Sequence, residues 1–163
     1  MSRLDSGIRR LHAQRACLDC AVTLIGAIGG VVFELGLGNG RSYDHLREKL
    51  PGRAIFVFER DVTAHPDSIP PAEYLVVGDL RETLPRAVRR FARGVALLHL
   101  DTASGDRAAS ERLALALEPH IAQLMAPGAI IASGLPFAGG SWESLPPPAE
   151  VDPGRYYMYR APA

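Results

Sequence analysis

The stretch Val31-Val32-Phe33-Glu34-Leu35-Gly36-Leu37-Gly38-Asn39-Gly40 narrows the fold more than any other part of the chain. Its apolar run reads as a buried strand, since strands covered on both faces are continuously apolar. A carboxylate closes the run, and glycine then takes every second position. Glycine permits positive φ and lets a ligand approach the backbone. Arg41 to Leu50 reads as a helix whose first N–H groups, lacking partners within the helix, face the loop. A strand, a glycine loop and a helix in this order form a nucleotide-type cofactor site.

Two cofactor classes use such a turn. The dinucleotide fingerprint places a third glycine or alanine three residues after the second, where helix packs on strand. Arg41 holds that position and is too bulky for it. Glu34, two residues before the first glycine, would repel a pyrophosphate and attract a cationic ligand such as an amino group or a sulfonium. These residues resemble motif I of the class I S-adenosylmethionine-dependent methyltransferases, of the small, single-domain bacterial type. In that family the acidic residue lies near the methionine moiety and the glycine loop wraps beneath it. The resemblance implies S-adenosyl-L-methionine as cofactor, S-adenosyl-L-homocysteine as product, and Glu34, Gly36, Leu37, Gly38, Asn39 and Gly40 around the bound group. The alternatives are an NAD-type Rossmann oxidoreductase and a non-catalytic cofactor-binding or partner subunit.

Three further apolar runs repeat the scheme. Ala54-Ile55-Phe56-Val57-Phe58-Glu59 closes on a carboxylate nineteen residues beyond Gly40, the spacing that suits a bond to ribose hydroxyls. Tyr74-Leu75-Val76-Val77-Gly78-Asp79 and Val95-Ala96-Leu97-Leu98-His99-Leu100-Asp101 follow. By the resemblance, Glu59 with its neighbour Arg60 and Asp79 with Leu80 belong to the nucleoside site, Asp79 facing the adenine amino group, and Asp101 joins the cofactor set. Carboxylates gathered at the carboxyl ends of parallel strands lie where open α/β sheets bind ligands.

Elements beyond the fourth strand keep alternating. Ala108 to Leu117 has helical spacing, which Pro119 is expected to interrupt at Glu118. His120 to Met125 forms a second segment, Ala126-Pro127-Gly128 a turn, and Ala129 to Ser133 a fifth strand. Arg155 to Arg160 reads as a terminal strand that pairs with Trp142 to Leu145. The expected fold is α/β: a Rossmann-like, doubly wound, mostly parallel sheet closed by a C-terminal antiparallel hairpin, in three α/β/α layers. It forms one domain over residues 1–163, with a leading helix in 1–30, a cofactor-binding core in 31–135 and the closing hairpin in 136–163. The leading helix runs to Ile28 and ends at Gly29-Gly30.

A length of 163 residues suits one domain. Formal net charge is zero, which argues against a nucleic-acid partner or an anionic membrane surface. The basic residues are almost all arginine, Lys49 being the only lysine, as in a GC-rich bacterial genome. The apolar run from Ala21 to Phe33 is too short to span a bilayer and continues into the cofactor loop, so it does not read as a secretion signal. The expected compartment is the cytoplasm, with a small-molecule substrate as partner and self-association left open. Cys17 and Cys20 form a C-x-x-C inside a helical stretch and read as buried thiols rather than a redox pair. His99 reads as a hydrogen-bonded core histidine. Arg86, Arg89, Arg90 and Arg93 read as a solvated helix face.

The loop Asp101-Thr102-Ala103-Ser104-Gly105-Asp106 is the expected place for substrate chemistry. Methyl transfer from a sulfonium is an in-line displacement that mainly requires positioning. Asp101 is the first candidate to remove the acceptor's proton or orient the acceptor, and Asp106 the second, although Asp106 equally suits a helix N-cap. Tyr43 and His45 stand near enough in sequence to line the pocket. Metal-dependent catechol-type methyltransferases carry an Asp-Asn pair where this chain has Ser133-Gly134, so a metal-free reaction is expected. No motif of the Asn-Pro-Pro-Tyr type is present to assign the acceptor.

Overall fold

A computed structural model of the chain describes residues 2–102, 106–139 and 141–163. The element order is α1 (Arg3–Ile25), β1 (Val31–Leu35), α2 (Arg41–Lys49), β2 (Ile55–Glu59), β3 (Leu75–Val77), α3 (Leu80–Phe91), β4 (Val95–Leu100), α4 (Arg107–Leu124), β5 (Met125–Ser133), β6 (Glu143–Leu145) and β7 (Tyr157–Arg160). One seven-stranded sheet orders these as β3-β2-β1-β4-β5-β7-β6. β1 to β5 pair in parallel, and β7 runs antiparallel to both β5 and β6. The terminal hairpin and the three layers are as the sequence led us to expect.

Strand alternation decides which face each side chain serves. Phe33, Leu35, Phe56, Phe58, Leu98 and Leu100 pack with Leu84, Leu117 and Ile121 of α3 and α4. Val32, Ile55, Val57, Leu97 and Ile130 pack with Cys17, Leu18 and Ala21 of α1 and Leu46 of α2. Both faces of β1 and β4 are therefore covered, which is why these strands read as unbroken apolar runs. Strand order reverses between β1 and β4, so their carboxyl ends diverge into the crevice where such sheets take ligands.

Three local expectations are corrected. α1 stops at Gly26, which takes φ +36, rather than reaching Ile28. Gly30 instead serves the entry to β1. A Cβ there would lie 2.4 Å from the Gly94 carbonyl, so glycine is what lets the chain pass beside the start of β4. α4 runs unbroken through Pro119. The carbonyl that loses its partner belongs to Leu115, an exposed residue, while Leu117, Ile121 and Leu124 on either side of the proline are buried and hold the helix to the sheet. Finally, Ala126-Pro127-Gly128 lies inside β5 rather than before it. The turn chemistry survives as a bulge: Val95 pairs with Met125 while Leu97 pairs with Ile130, and Gly128 takes φ +72.

Cys17 is fully buried in α1, burial pushes its thiol up to about 12, and both cysteines are free. No helix among the described residues is long and apolar enough to cross a membrane.

Candidate functional site

The loop between β1 and α2 turns on three glycines at positive φ: Gly36 (+96), Gly38 (+51) and Gly40 (+82). They serve different ends. A Cβ on Gly36 would lie 2.7 Å from the Asp101 carbonyl, and one on Gly40 would lie 2.4 Å from Ser68 Cβ. Gly36 and Gly40 thus let the loop lie against its neighbours. A Cβ on Gly38 would meet nothing within 4 Å, because that glycine borders open space.

The open space is a cleft of about 440 Å³ at the carboxyl ends of the strands. Gly36 and Gly38 form one side, Glu59 and Asp79 a second, and Phe58, Leu80 and Leu113 an apolar wall. Arg60 also borders it, paired with Asp61 at 2.9 Å. Glu59 is tied to the backbone by both oxygens. Oε2 accepts from the N–H groups of Leu37 (2.7 Å) and Gly38 (3.0 Å), and Oε1 from those of Arg60 (2.7 Å) and Asp61 (3.2 Å). Asp79 caps α3, accepting from the Arg81 N–H at 2.8 Å. The Thr102 hydroxyl, buried and bordering the cleft, has no hydrogen-bond partner among the described residues. A carboxylate at a strand end, an apolar wall, an open glycine backbone and an orphaned hydroxyl fit a nucleoside-bearing cofactor.

Glu34 does not face this space. Its side chain is wholly buried on the α1 side of the sheet. Oε1 accepts from the Ser42 hydroxyl, and Oε2 lies 2.7 Å from His99 Nδ1. The pairing follows from register, since Glu34 and His99 stand opposite each other on β1 and β4. His99 Nε2 bonds in turn to the Tyr156 hydroxyl. Burial acts to lower the His99 pKa, but the Glu34 charge and hydrogen bond, helped by Asp101, outweigh it and leave it raised. Burial, with the charges of Asp101 and Glu34, holds Tyr156 well above the ordinary tyrosine value. In place of the expected direct contact with a cofactor, Glu34 fixes Ser42 in the first turn of α2 and so steadies the loop from behind.

Asp101, at the end of β4, is reached from a distant part of the chain. Its Oδ2 accepts from Arg10 Nη1 at 2.8 Å and from Gln14 Nε2 at 2.6 Å, both on α1. The other expected residues scatter. Leu37 is buried and Asn39 exposed. Gly40 packs beneath the loop. Asp106 caps α4, accepting from the Ala109 N–H at 3.0 Å. Residues 103–105 of the expected substrate loop lie outside the described residues. Tyr43 is 6% exposed within the core, and His45 bonds to Asp19 at 2.8 Å, so neither borders the cleft. Sequence reasoning missed Arg10, Gln14, Ser42 and Tyr156. The one available signal was the Arg10/Gln14 spacing, which puts two polar groups on one face of α1.

A family model described as S-adenosyl-L-methionine methyltransferase matches residues 1–161. This chain belongs to that family. An S-adenosyl-L-methionine methyltransferase from Silicibacter pomeroyi DSS-3 is 43% identical over 99% of both chains, with a TM-score of 0.94. Two more distant structures share the fold alone. S-adenosylmethionine-bound CalS10 from Micromonospora echinaspora, an amino pentose methyltransferase, is 16% identical over 89% of this chain and 63% of that one, with a TM-score of 0.51. The rRNA methyltransferase aviRa from Streptomyces viridochromogenes is 14% identical over 89% of this chain and 81% of that one, with a TM-score of 0.56. No curated protein matches. The protein is thus an S-adenosylmethionine-dependent methyltransferase, and the seven-stranded sheet, in which β7 alone runs against the others, is the family's Rossmann-like fold. The NAD-type alternative falls away.

Proposed function

We propose that this methyltransferase modifies a small molecule, without a catalytic metal, at the point where the cleft reaches Asp101. The cofactor supplies an electrophilic methyl group. An acceptor lone pair forms the new bond to carbon while the carbon–sulfur bond breaks and its electron pair stays on sulfur. Glu59 is the residue to hold the ribose, with Phe58, Leu80 and Leu113 against the base and Asp79 at its edge. Arg60 and the loop of Leu37, Gly38 and Asn39 complete the enclosure, the Leu37 and Gly38 N–H groups being held by Glu59.

The observation that supports a small acceptor is the recessed position of Asp101, whose side chain is 13% exposed. A guanidinium and an amide hold this carboxylate in one orientation. It is therefore suited to orienting an acceptor and balancing charge. Zero net charge adds support, because RNA binding draws on released counterions and needs a basic surface. CalS10 and aviRa, by their descriptions, act on an amino pentose and on rRNA, so the fold serves both kinds of acceptor. Asp106, whose carboxylate caps α4, is the second candidate for handling the acceptor's proton.

The test uses methyl-labelled S-adenosylmethionine with a fractionated bacterial extract. Label should enter the low-mass fraction and continue to do so in EDTA. Label confined to RNA or protein would overturn the small acceptor. Loss of transfer in EDTA with recovery on adding magnesium would overturn the metal-free reaction.

A further inference from the structure

A buried chain of polar side chains runs through the sheet behind the site. Ser42 of α2 donates to Glu34 of β1, Glu34 lies 2.7 Å from His99 Nδ1 on β4, and His99 Nε2 bonds to the Tyr156 hydroxyl. The far end of this chain reaches the site itself. The Gln14 amide stands beside the Tyr156 hydroxyl and bears on its ionisation, and Gln14 Nε2 donates to Asp101 Oδ2 at 2.6 Å. Gly134 lets Asp101 and Tyr156 come close: a Cβ there would lie 3.4 Å from Asp101 Oδ1 and 3.6 Å from the Tyr156 ring. The transfer step described above uses neither His99 nor Tyr156.

The protons on the chain set its direction. The Glu34 carboxylate only accepts, so His99 Nδ1 carries a proton whether the ring is charged or neutral. Tyr156 has a single hydroxyl hydrogen. With a proton on Nε2, His99 donates to the Tyr156 oxygen, and the hydroxyl hydrogen turns to the side where Gln14 and Asp101 stand. With Nε2 bare, that hydrogen turns back to His99, and Asp101 loses the positive end of the dipole. We propose that Tyr156 is a positioning residue for Asp101, through which the protonation of His99 sets how firmly the acceptor-orienting carboxylate is held. This rests on the reading of Asp101 as the group that orients the acceptor. The groups facing His99 and Tyr156 are Glu34 from β1, Asp101 from the end of β4, and Arg10, Gln14 and Cys17 from α1. Burial disfavours the His99 charge, Glu34 and then Asp101 favour it, and Arg10 opposes it. The hold on Asp101 weakens as pH rises through the His99 titration.

Carbon-13 NMR of the carboxylates and histidine rings tests the coupling without an acceptor. The Asp101 carboxyl signal, assigned by its loss in Asp101→Asn, should shift a second time at the pH where the His99 ring titrates. In Tyr156→Phe, which keeps the ring and removes the hydroxyl, His99 should still titrate while the second shift largely disappears. In His99→Gln it should disappear outright. No second shift in wild type, or one that persists at full size in either variant, would overturn the proposal even where the variants melt early. A kinetic arm follows methyl-labelled S-adenosylmethionine into the low-mass fraction of a bacterial extract. Below the His99 titration, Tyr156→Phe should transfer about three- to tenfold more slowly than wild type, with S-adenosylhomocysteine affinity within about twofold in calorimetry. Above it the two rates should converge. A gap that stayed constant with pH would reduce Tyr156 to packing and overturn the proposal while the role of Asp101 stands. Undiminished transfer by Asp101→Asn would overturn the reading of Asp101 itself.

Discussion

Glu59 illustrates how one side chain serves two ends. At the tip of a strand, a carboxylate is expected to be hydrated and dispensable for stability. Here it accepts four backbone N–H bonds and links the glycine loop to the turn after β2. Glu59→Ala should therefore weaken the cofactor by about tenfold to a hundredfold in calorimetry, and also lower the stability of the free protein by about 1.5–3 kcal/mol. That second loss corresponds to a melting shift of about 3–12 °C. A variant with full free-protein stability would show that these bonds contribute nothing to holding the loop. A variant that kept the wild-type preference for ribose over 2′-deoxyribose cofactor would remove Glu59 from the ribose site. A second residue-scale prediction concerns the buried pair. His99 in the folded protein has its pKa raised above the ordinary 6.5. The folded state then binds the proton more tightly than the unfolded chain, so the pair's contribution is complete below about pH 6.5 and lost as pH rises through the folded value. The melting-temperature gap between wild type and His99→Gln should narrow as pH rises above about 6.5. A constant or widening gap would contradict a charged His99.

The glycine loop separates packing from binding within one element. At Gly40 a Cβ meets Ser68 and the backbone is left-handed, so Gly40→Ala should cost more than the 1–2 kcal/mol or so typical of left-handed strain alone. At Gly38 the strain is similar but the space is open, so Gly38→Ala should unfold later than Gly40→Ala yet lose more cofactor affinity. Thermal melts beside calorimetry check the order, and a reversed order would mean that Gly38 faces no ligand. The loop's existence was legible in the sequence, because alternating glycines after an apolar run have few other uses. The part played by each glycine was not, since it depends on Ser68 and Asp101, which approach from other elements. The same limit applies to Glu34. A strand covered on both faces carries no alternation to show which way a carboxylate points, and only the β1–β4 register places it against His99. Pro119 was misread for a related reason: sequence shows the missing N–H but not that Leu117, Ile121 and Leu124 are packed into the core on either side of it.

For the whole molecule, order and class of elements followed from repeated apolar runs, glycine punctuation and the short terminal strands. Long-range pairings could not be read in the same way. The bonds from Arg10 and Gln14 to Asp101 exist only because the fold lays α1 across the carboxyl end of β4. Cofactor at about a hundred times Kd should add about 2.7 kcal/mol, a melting rise of about 5–11 °C. The central claim is that the cleft beside Gly38 and Glu59 is the cofactor site. A crystal structure with S-adenosylhomocysteine tests it most directly. The account predicts ligand density against Gly38, with the ribose at Glu59 and the base between Asp79 and Leu80. Ligand density elsewhere on the protein, with this cleft empty, would contradict it.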